Sequence, residues 1–263
     1  MTITVCILVP TGIVLAADSR QLTQSVRGHW RVDSDNANKI FQLGPHLTAS
    51  VYGQGTYYFS ETESPQSIGS ILHSVASQFT DDITVSEAAS RIYQRVTNEF
   101  NRHRDVTGTE QEGSVGFYVA GYSPGESIGE LYRCEFPGKV TLERKTNDAG
   151  AVWNGQREIV DRLILGYDPR LFGFLNRSET HIELTDAKWR QKLQLHINFQ
   201  TMPLQDAVDL AVLLVHTTIK LEQLSDGIIG APGQIPACGG DIDVAVITPE
   251  EGFRWLQRKQ LKV

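Results

Sequence analysis

Two short apolar runs open the chain, and a turn separates them. Residues 2–9 and 12–19 are mostly aliphatic or β-branched, whereas residues 10–12 are Pro-Thr-Gly. Short apolar runs bounded by Pro and Gly are typical of buried strands joined by a turn. The sequence therefore predicts a hairpin that ends near Asp18. Further strands are predicted near residues 27–33, 38–43 and 46–52.

Helical spacing replaces this strand pattern in the next part of the chain. Thr84 and Glu87 have the spacing of a capping box, in which a hydroxyl and a carboxylate close the first turn of a helix. The apolar residues behind them recur at helical spacing: Ala88, Ile92, Val96 and Phe100. We therefore expect a helix over 85–103 and an earlier one over about 66–79. The polar segment 104–113 is predicted to be a loop.

Strand character then returns and is followed by a second group of helices. Apolar or alternating runs predict strands at 115–121, 131–136, 139–144, 241–248 and 253–256, and helical spacing predicts helices at about 156–166 and 203–224. Residues 186–199 fit either an extra helix or an irregular excursion. Helices grouped in pairs between runs of strands argue against a parallel, doubly wound sheet. The pattern predicts an α+β fold in which helix pairs cover antiparallel sheets.

Composition narrows the class of protein. The chain has 263 residues, of which 40% are hydrophobic, and this is enough for one domain with a full core. Its net charge is −7 without a basic block, which disfavours nucleic acid and anionic membranes as partners. Three cysteines without CxxC spacing predict reduced thiols and a cytoplasmic location. No apolar run has the length of a membrane span, and the histidines lack metal-ligand spacing.

The strongest candidate for chemistry lies at the start of the chain. Thr2 directly follows Met1, so removal of Met1 would place a hydroxyl and a free α-amine on one residue. An α-amine has a pKa of about 7.7–8.0, so an appreciable fraction of it is neutral near neutral pH. Because such an amine can take the proton of the neighbouring hydroxyl, Thr2 is a candidate nucleophile that carries its own base.

Several segments in colinear order carry a resemblance to a known family. They are GIVLAADSR at 12–20, KIF at 39–41, the runs at 46–53 and 115–122, GELY at 129–132 and GGDIDVAVI at 239–247. Together they resemble bacterial proteasome-type β subunits, which are N-terminal nucleophile hydrolases of the threonine peptidase superfamily. The resemblance implies a four-layer αββα sandwich of two antiparallel sheets flanked by helix pairs. It also implies one domain over residues 1–263, with a family-atypical insertion around 167–201.

The same resemblance assigns catalytic roles to residues of this sequence. Thr2 matches the nucleophile, and Asp18 and Lys39 match the charged pair beside it. Gly53 matches the glycine whose backbone N–H stabilises the oxyanion. A cationic Lys39 would lower the pKa of the α-amine, and Asp18 would keep Lys39 charged and oriented.

Supporting positions depart from the family pattern. Asn154 and Cys238 stand where the family has serines, and Ile235 stands where it has an aspartate. The resemblance places Asn154 and Cys238 in the catalytic set, with a hydrogen-bond network that differs from the usual one.

The resemblance also assigns a substrate pocket and partners. The pocket residues are uncharged: Gln21, Ala37, Phe41, Val51 and Gly55. We therefore expect a hydrophobic or small neutral side chain before the scissile bond of a peptide or unfolded protein. The resemblance implies a homo-oligomeric ring, an ATP-dependent unfoldase as a further partner, and no metal or organic cofactor. Two alternatives stay open: a catalytically inactive ring scaffold, and a small-molecule amidase on the same fold.

Overall fold

The computed structural model describes residues 2–24, 29–53, 55–57, 66–107, 115–172, 186–226 and 235–260. Its strands are β1 (Ile3–Val9), β2 (Gly12–Ala17), β3 (Gln21–Gln24), β4 (Trp30–Ser34), β5 (Ile40–Gly44), β6 (Leu47–Gly53), β7 (Thr56–Tyr57), β8 (Gln66–Ser67), β9 (Val115–Tyr122), β10 (Gly129–Phe136), β11 (Val140–Lys145), β12 (Gly150–Gly155), β13 (Asp243–Thr248) and β14 (Gly252–Gln257). Its helices are α1 (Ile68–Ala76), α2 (Val85–Thr107), α3 (Glu158–Ile164), α4 (Asp186–Leu193) and α5 (Leu204–Leu224), and Phe199–Thr201 forms a 3₁₀ turn.

Two five-stranded antiparallel sheets form the centre of the described structure. The first sheet has the order β12-β1-β2-β13-β14, and the second has the order β11-β10-β9-β6-β5. Two small antiparallel ribbons, β3-β4 and β7-β8, lie outside these sheets. The prediction of an α+β fold with antiparallel sheets is confirmed.

Strand β1 shows why the opening of the chain is almost continuously apolar. All seven of its residues are buried. Successive side chains of a strand point to opposite faces, so a strand covered on both sides is apolar at every position. Ile3 and Val5 pack in the core cluster that contains the buried side of α5, whereas Cys6 and Leu8 pack in the cluster shared by both sheets.

Helices α1 and α2 contact the second sheet, and α5 contacts β1 and β2 of the first. Ser67 caps α1, because its side-chain oxygen accepts a hydrogen bond of 3.1 Å from the backbone N–H of Ser70. Thr84 caps the first turn of α2 in the same way, through a bond of 3.2 Å from the N–H of Glu87, as the capping-box spacing predicts. In the described ranges, no helix combines the length and the apolar character needed to cross a membrane.

Most predicted elements are present, with ends that shift by a few residues, but some predictions are wrong. The strand predicted at 27–33 corresponds to β4, β3 was not predicted, and residues 27 and 28 lie outside the described part. Helix α2 continues to Thr107, so the predicted loop cannot begin at 104, and 108–113 lie outside the described residues. Helix α4 settles the alternatives at 186–199 in favour of a helix over 186–193. The middle of the predicted insertion, residues 173–185, also lies outside the description.

Strand β12 was not predicted, because its sequence Gly-Ala-Val-Trp-Asn-Gly has little strand character of its own. It forms by pairing along β1, from Ile3 opposite Gly155 to Leu8 opposite Gly150. Strand formation here depends on the neighbouring strand more than on local preference.

Gly116 of β9 leaves room for an aromatic ring between the sheets. It lies opposite Tyr52 of β6, and a Cβ at this position would lie 2.0 Å from the Tyr52 ring. We expect Gly116→Ala to lower the free energy of unfolding by about 1–3 kcal/mol, because the ring must move within a packed core. Gly44→Ala is the matched control, since its nearest neighbour would be Leu47 at 3.7 Å. Urea denaturation measures both variants, and equal losses would contradict the explanation.

Candidate functional site

One buried carboxylate gathers the elements around the start of the chain. Oδ1 of Asp18 accepts hydrogen bonds from the backbone N–H of Ile3 at 3.0 Å and from Nζ of Lys39 at 2.6 Å. Its Oδ2 accepts bonds from the backbone N–H groups of Arg20 at 3.1 Å and Gly239 at 3.0 Å. The side chain of Asp18 is fully buried, and that of Lys39 is 8% exposed. The start of β1, the segment 18–20, the residue before β5 and the turn at Gly239 therefore meet at the Asp18 side chain.

The opening hairpin explains how Asp18 reaches this position. The β1–β2 register pairs Thr4 with Ala17, so the next pair outward is Ile3 with Asp18. The backbone N–H of Asp18 accordingly donates to the Ile3 carbonyl at 3.3 Å, while the Ile3 N–H donates to the Asp18 carboxylate. Lys39 directly precedes β5, and its carbonyl accepts a hydrogen bond of 2.9 Å from Val51 of β6. Both members of the ion pair are thus set by strand pairing.

Thr2 is held through its backbone and is buried, with 4% of its surface exposed. Its carbonyl accepts a hydrogen bond of 2.7 Å from the N–H of Gln156. Gly155, which precedes Gln156, has a φ of +96°, and a Cβ there would lie 1.8 Å from the Thr2 carbonyl oxygen. Only glycine fits such a close approach at a positive φ. The end of β12 therefore fixes the position of Thr2.

Gly53 ends β6 with a φ of +80°, a conformation that favours glycine. Three residues earlier on this strand, the hydroxyl of Ser50 accepts a hydrogen bond of 3.0 Å from the Thr4 hydroxyl. This buried bond connects β6 of the second sheet to β1 of the first. The strand that carries Gly53 is thereby tied to the strand that follows Thr2.

Asn154 lies in β12 opposite Thr4 and shapes the turn that fixes Thr2. Its Oδ1 accepts a hydrogen bond of 2.9 Å from the N–H of Gly155. The sequence resemblance expects a catalytic serine at this position. In the structure, the Asn154 side chain instead hydrogen-bonds to the backbone of its own turn.

Cys238 is fully buried beside Asp18. Burial raises the pKa of its thiol well above the ordinary value, and the nearby carboxylates of Asp18 and Glu222 raise it further. Cys238 is therefore a neutral thiol at neutral pH. Its side chain is unlike the reactive thiolates of catalytic cysteines, which require a lowered pKa.

Glu222 is a buried carboxylate that sequence reasoning missed. It lies near the end of α5, is 1% exposed, and accepts hydrogen bonds of 2.8 Å through Oε2 from the N–H groups of both Ala237 and Cys238. Burial raises its pKa, and the two N–H groups oppose this shift. A signal was available, because Glu222 follows Thr218 and Ile219 at helical spacing on the buried side of the helix. Ile235, which stands where the family has an aspartate, has no charge. The acidic side chain that contacts this turn is instead Glu222 of helix α5.

Arg20 and Asp35 form a second ion pair next to the site, which sequence reasoning also missed. Nε and Nη2 of Arg20 donate to the two oxygens of Asp35 at 2.7 and 2.9 Å. This bidentate hydrogen bonding to Arg20 lowers the pKa of the Asp35 carboxyl. A Cβ at Gly239 would lie 2.5 Å from the Arg20 guanidinium carbon, so the turn at Gly239 packs closely against it.

The predicted pocket residues divide into two groups. Ala37 is half-buried, and its N–H donates to the Ser19 carbonyl at 2.9 Å, next to the Asp18 site. Gln21 is also half-buried, and Gly55 is exposed. Phe41 and Val51, by contrast, are 9% and 6% exposed and lie in the core cluster with α1 and α2. The five residues as a substrate pocket remain a prediction.

The described part of the chain contains no group of three or more His, Cys, Asp or Glu side chains placed as metal ligands.

Comparison with known proteins identifies related folds. No protein-family model and no curated protein matches the chain. A Gly-1 mutant of Anbu from Hyphomicrobium sp. strain MC1 has 16% identity and a TM-score of 0.56, over 98% of this chain and 86% of that chain. The Anbu complex from Pseudomonas aeruginosa, described as a helical assembly, has 15% identity and a TM-score of 0.60, over 98% of this chain and 88% of that chain. At these identities the similarity shows the fold alone, which is therefore proteasome-like.

Removal of the Asp18 carboxylate tests how much of the site depends on it. We expect Asp18→Ala to lower the free energy of unfolding by about 3–5 kcal/mol, because it leaves Lys39 buried without its counter-charge. Asp33→Ala is the control, since Asp33 pairs with Arg31 at the surface and such pairs contribute about 0–1 kcal/mol. Urea denaturation measures both. A double variant that adds Lys39→Met should recover part of the loss, and no recovery would contradict the proposed cause.

Proposed function

We propose that the chain is a threonine-type peptidase whose nucleophile is Thr2, exposed by removal of Met1. The observation that carries this proposal is the meeting of the Ile3 N–H and the Lys39 ammonium on one oxygen of the buried Asp18 carboxylate. The residue after the nucleophile and the candidate cation are thus fixed relative to each other before substrate arrives. Such preorganisation is what a nucleophilic site requires.

The proposed reaction uses the α-amine of Thr2 as its base. The amine takes the proton from Thr2 Oγ as that oxygen attacks the peptide carbonyl, and the N–H of Gly53 donates to the resulting oxyanion. The proton then passes to the departing amine, the peptide bond breaks, and an acyl ester remains on Thr2. Water gives a proton to the α-amine as its oxygen attacks this ester, and the amine then returns the proton to Thr2 Oγ as the ester bond breaks, which releases the acid and restores the hydroxyl. One oxyanion donor is typically worth about 3–4 kcal/mol of transition-state stabilisation.

Lys39 and Asp18 support this chemistry by electrostatics. A cation near the α-amine lowers its pKa and so raises the neutral fraction that can accept a proton. Asp18 supplies a counter-charge to the buried Lys39 side chain, and burial of an ammonium without such a partner would be costly.

We propose that residues 1–263 form one domain, a four-layer αββα sandwich with an atypical insertion around 167–201. Support comes from three core clusters: one joins α1 and α2 to the second sheet, one contains the helix side of the first sheet, and one contains residues of both sheets.

Assembly and partners follow as further parts of the proposal. We propose a cytoplasmic homo-oligomer, in a ring as the sequence resemblance implies, acting on peptides or unfolded proteins with an ATP-dependent unfoldase as a further partner. The assembled state of the Pseudomonas aeruginosa Anbu complex supports the oligomer.

An inactive, proteasome-like scaffold is the second candidate function. It is favoured by the buried, neutral Cys238 and by the bond of Asn154 to its own turn, because neither side chain acts like a catalytic serine. A small-molecule amidase would use the same Thr2 chemistry and would differ only in its substrate.

Exposure and reactivity of Thr2 decide between enzyme and scaffold. We expect the intact mass of the untagged protein from its native host to lack Met1. A peptide epoxyketone should then modify the wild type covalently, with one equivalent per chain. It should not modify Thr2→Ala, since the reagent requires the hydroxyl and the amine together. Thr2→Ser keeps both groups and serves as the matched control. Retention of Met1 in all molecules would leave the scaffold as the better account.

Substrate charge tests the predicted pocket. Because Gln21, Ala37, Phe41, Val51 and Gly55 are uncharged, we expect fluorogenic peptides with Leu or Ala before the scissile bond to be cleaved faster than those with Arg or Glu. The measurement is kcat/KM for a matched series that differs at this position only. Faster cleavage of the charged peptides would contradict the pocket assignment. Cleavage of simple amides and of no peptide would favour the amidase.

A further inference from the structure

Three consecutive backbone N–H groups of the turn before β13 bind two different carboxylates. The N–H groups of Ala237 and Cys238 donate to Oε2 of Glu222, each at 2.8 Å. The N–H of the next residue, Gly239, donates to Oδ2 of Asp18 at 3.0 Å. The turn, which we define as residues 237–239, is therefore held from one side by helix α5 and from the other by the candidate site.

The contact between the turn and the site is reinforced through Gly239. Its carbonyl accepts a hydrogen bond of 2.9 Å from the N–H of Ser19, which directly follows Asp18. The hydroxyl of Ser19 in turn donates to the carbonyl of Asp241 at 2.7 Å. Displacement of the turn would therefore disturb the backbone on which the Asp18 carboxylate is mounted.

Burial of the Glu222 carboxylate has a desolvation cost that its hydrogen bonds must offset. Burial raises the pKa of Glu222, and the negative charge of Asp18 adds to that shift. In the structure, the carboxylate is stabilised by the hydrogen bonds that it accepts from two backbone N–H groups. An apolar residue would fill the same helix position without the desolvation cost, but it would leave both N–H groups without this acceptor.

We propose that Glu222 is a positioning residue of the site: it holds the turn so that the Gly239 N–H stays on Asp18, and Asp18 stays aimed at Lys39. Its effect on catalysis rests on the proposed peptidase function, whereas its effect on the Gly239–Asp18 contact does not. Glu222 itself touches no reacting atom in this account.

Residue-resolved amide hydrogen exchange tests the structural part directly. In Glu222→Ala, exchange of the Gly239 amide should rise by about tenfold or more, even though Glu222 does not contact that amide. The variant removes both hydrogen bonds that Glu222 accepts from the turn, so openings of the turn that expose the Gly239 amide become more frequent. Glu222→Gln should keep exchange close to the wild-type rate, because its amide oxygen can accept the same two N–H groups.

Control variants separate this effect from general destabilisation. Glu99 of α2 is also a buried glutamate with charged partners, Arg95 and Arg102, and α2 packs on the opposite sheet from α5. Glu99→Ala should leave Gly239 exchange unchanged. If Glu222→Ala does not fold, Glu222→Asp replaces it, since the shorter side chain withdraws the acceptor but keeps the charge. Faster exchange at 237 and 238 with an unchanged Gly239 would overturn the proposal.

Kinetics test the catalytic part. The substrate is a peptide whose cleavage by the wild type depends on Thr2. Glu222→Ala should lower kcat by about tenfold and change KM little, because it alters the position of Asp18 relative to Lys39 and leaves substrate binding intact. Glu222→Gln should rescue kcat. Normal kcat together with fast Gly239 exchange would overturn the positioning role. A wild type without Thr2-dependent cleavage would defeat the peptidase proposal, and the exchange of Gly239 would still decide whether Glu222 holds the turn on Asp18.

Discussion

The site depends on the buried carboxylate of Asp18 and the four N–H donors that surround it. A buried carboxylate is stable only when its oxygens are paired or hydrogen-bonded, and here each oxygen accepts two donors. The donors come from Ile3 at the start of β1, from Arg20 three residues past the end of β2, from Lys39 directly before β5, and from Gly239 in the turn before β13. No donor can move far without leaving the carboxylate undersatisfied. The electrostatic requirement of one side chain therefore becomes a geometric requirement on four segments.

Much of this arrangement could be predicted from sequence because it depends on local patterns. The two apolar runs around Pro-Thr-Gly are sufficient to predict the β1–β2 hairpin, and the hairpin register alone brings Asp18 opposite Ile3. The Lys39 position came from resemblance to proteasome-type β subunits, and the structure places its ammonium on Asp18. The Asp18–Lys39 ion pair was thus within reach of sequence reasoning, and the catalytic roles of Thr2, Asp18 and Lys39 stay a prediction.

What could not be predicted depends on contacts between distant segments. β12 has little strand character of its own and forms by pairing along β1, yet its final turn at Gly155 fixes the Thr2 carbonyl. Glu222 looks like an ordinary polar residue near the end of a helix, and its role is visible only when the turn at 237–239 lies against it. Phe41 and Val51 lie in the core cluster with α1 and α2, and their assignment to a substrate pocket stays a prediction from resemblance.

The start of the chain shows how these long-range contacts bear on function. Terminal residues are usually poorly ordered unless the fold ties them down. Here both polar groups of the Thr2–Ile3 peptide are hydrogen-bonded: the Thr2 carbonyl to the N–H of Gln156, and the Ile3 N–H to Asp18. The peptide that follows Thr2, and with it the Thr2 Cα, is therefore held in place by the fold. When the fold fixes the backbone of a nucleophile, the entropy lost in aligning it is lost on folding and not on substrate binding. The same constraint explains why Gly155 must be glycine, because any side chain there would collide with the Thr2 carbonyl on which this placement depends.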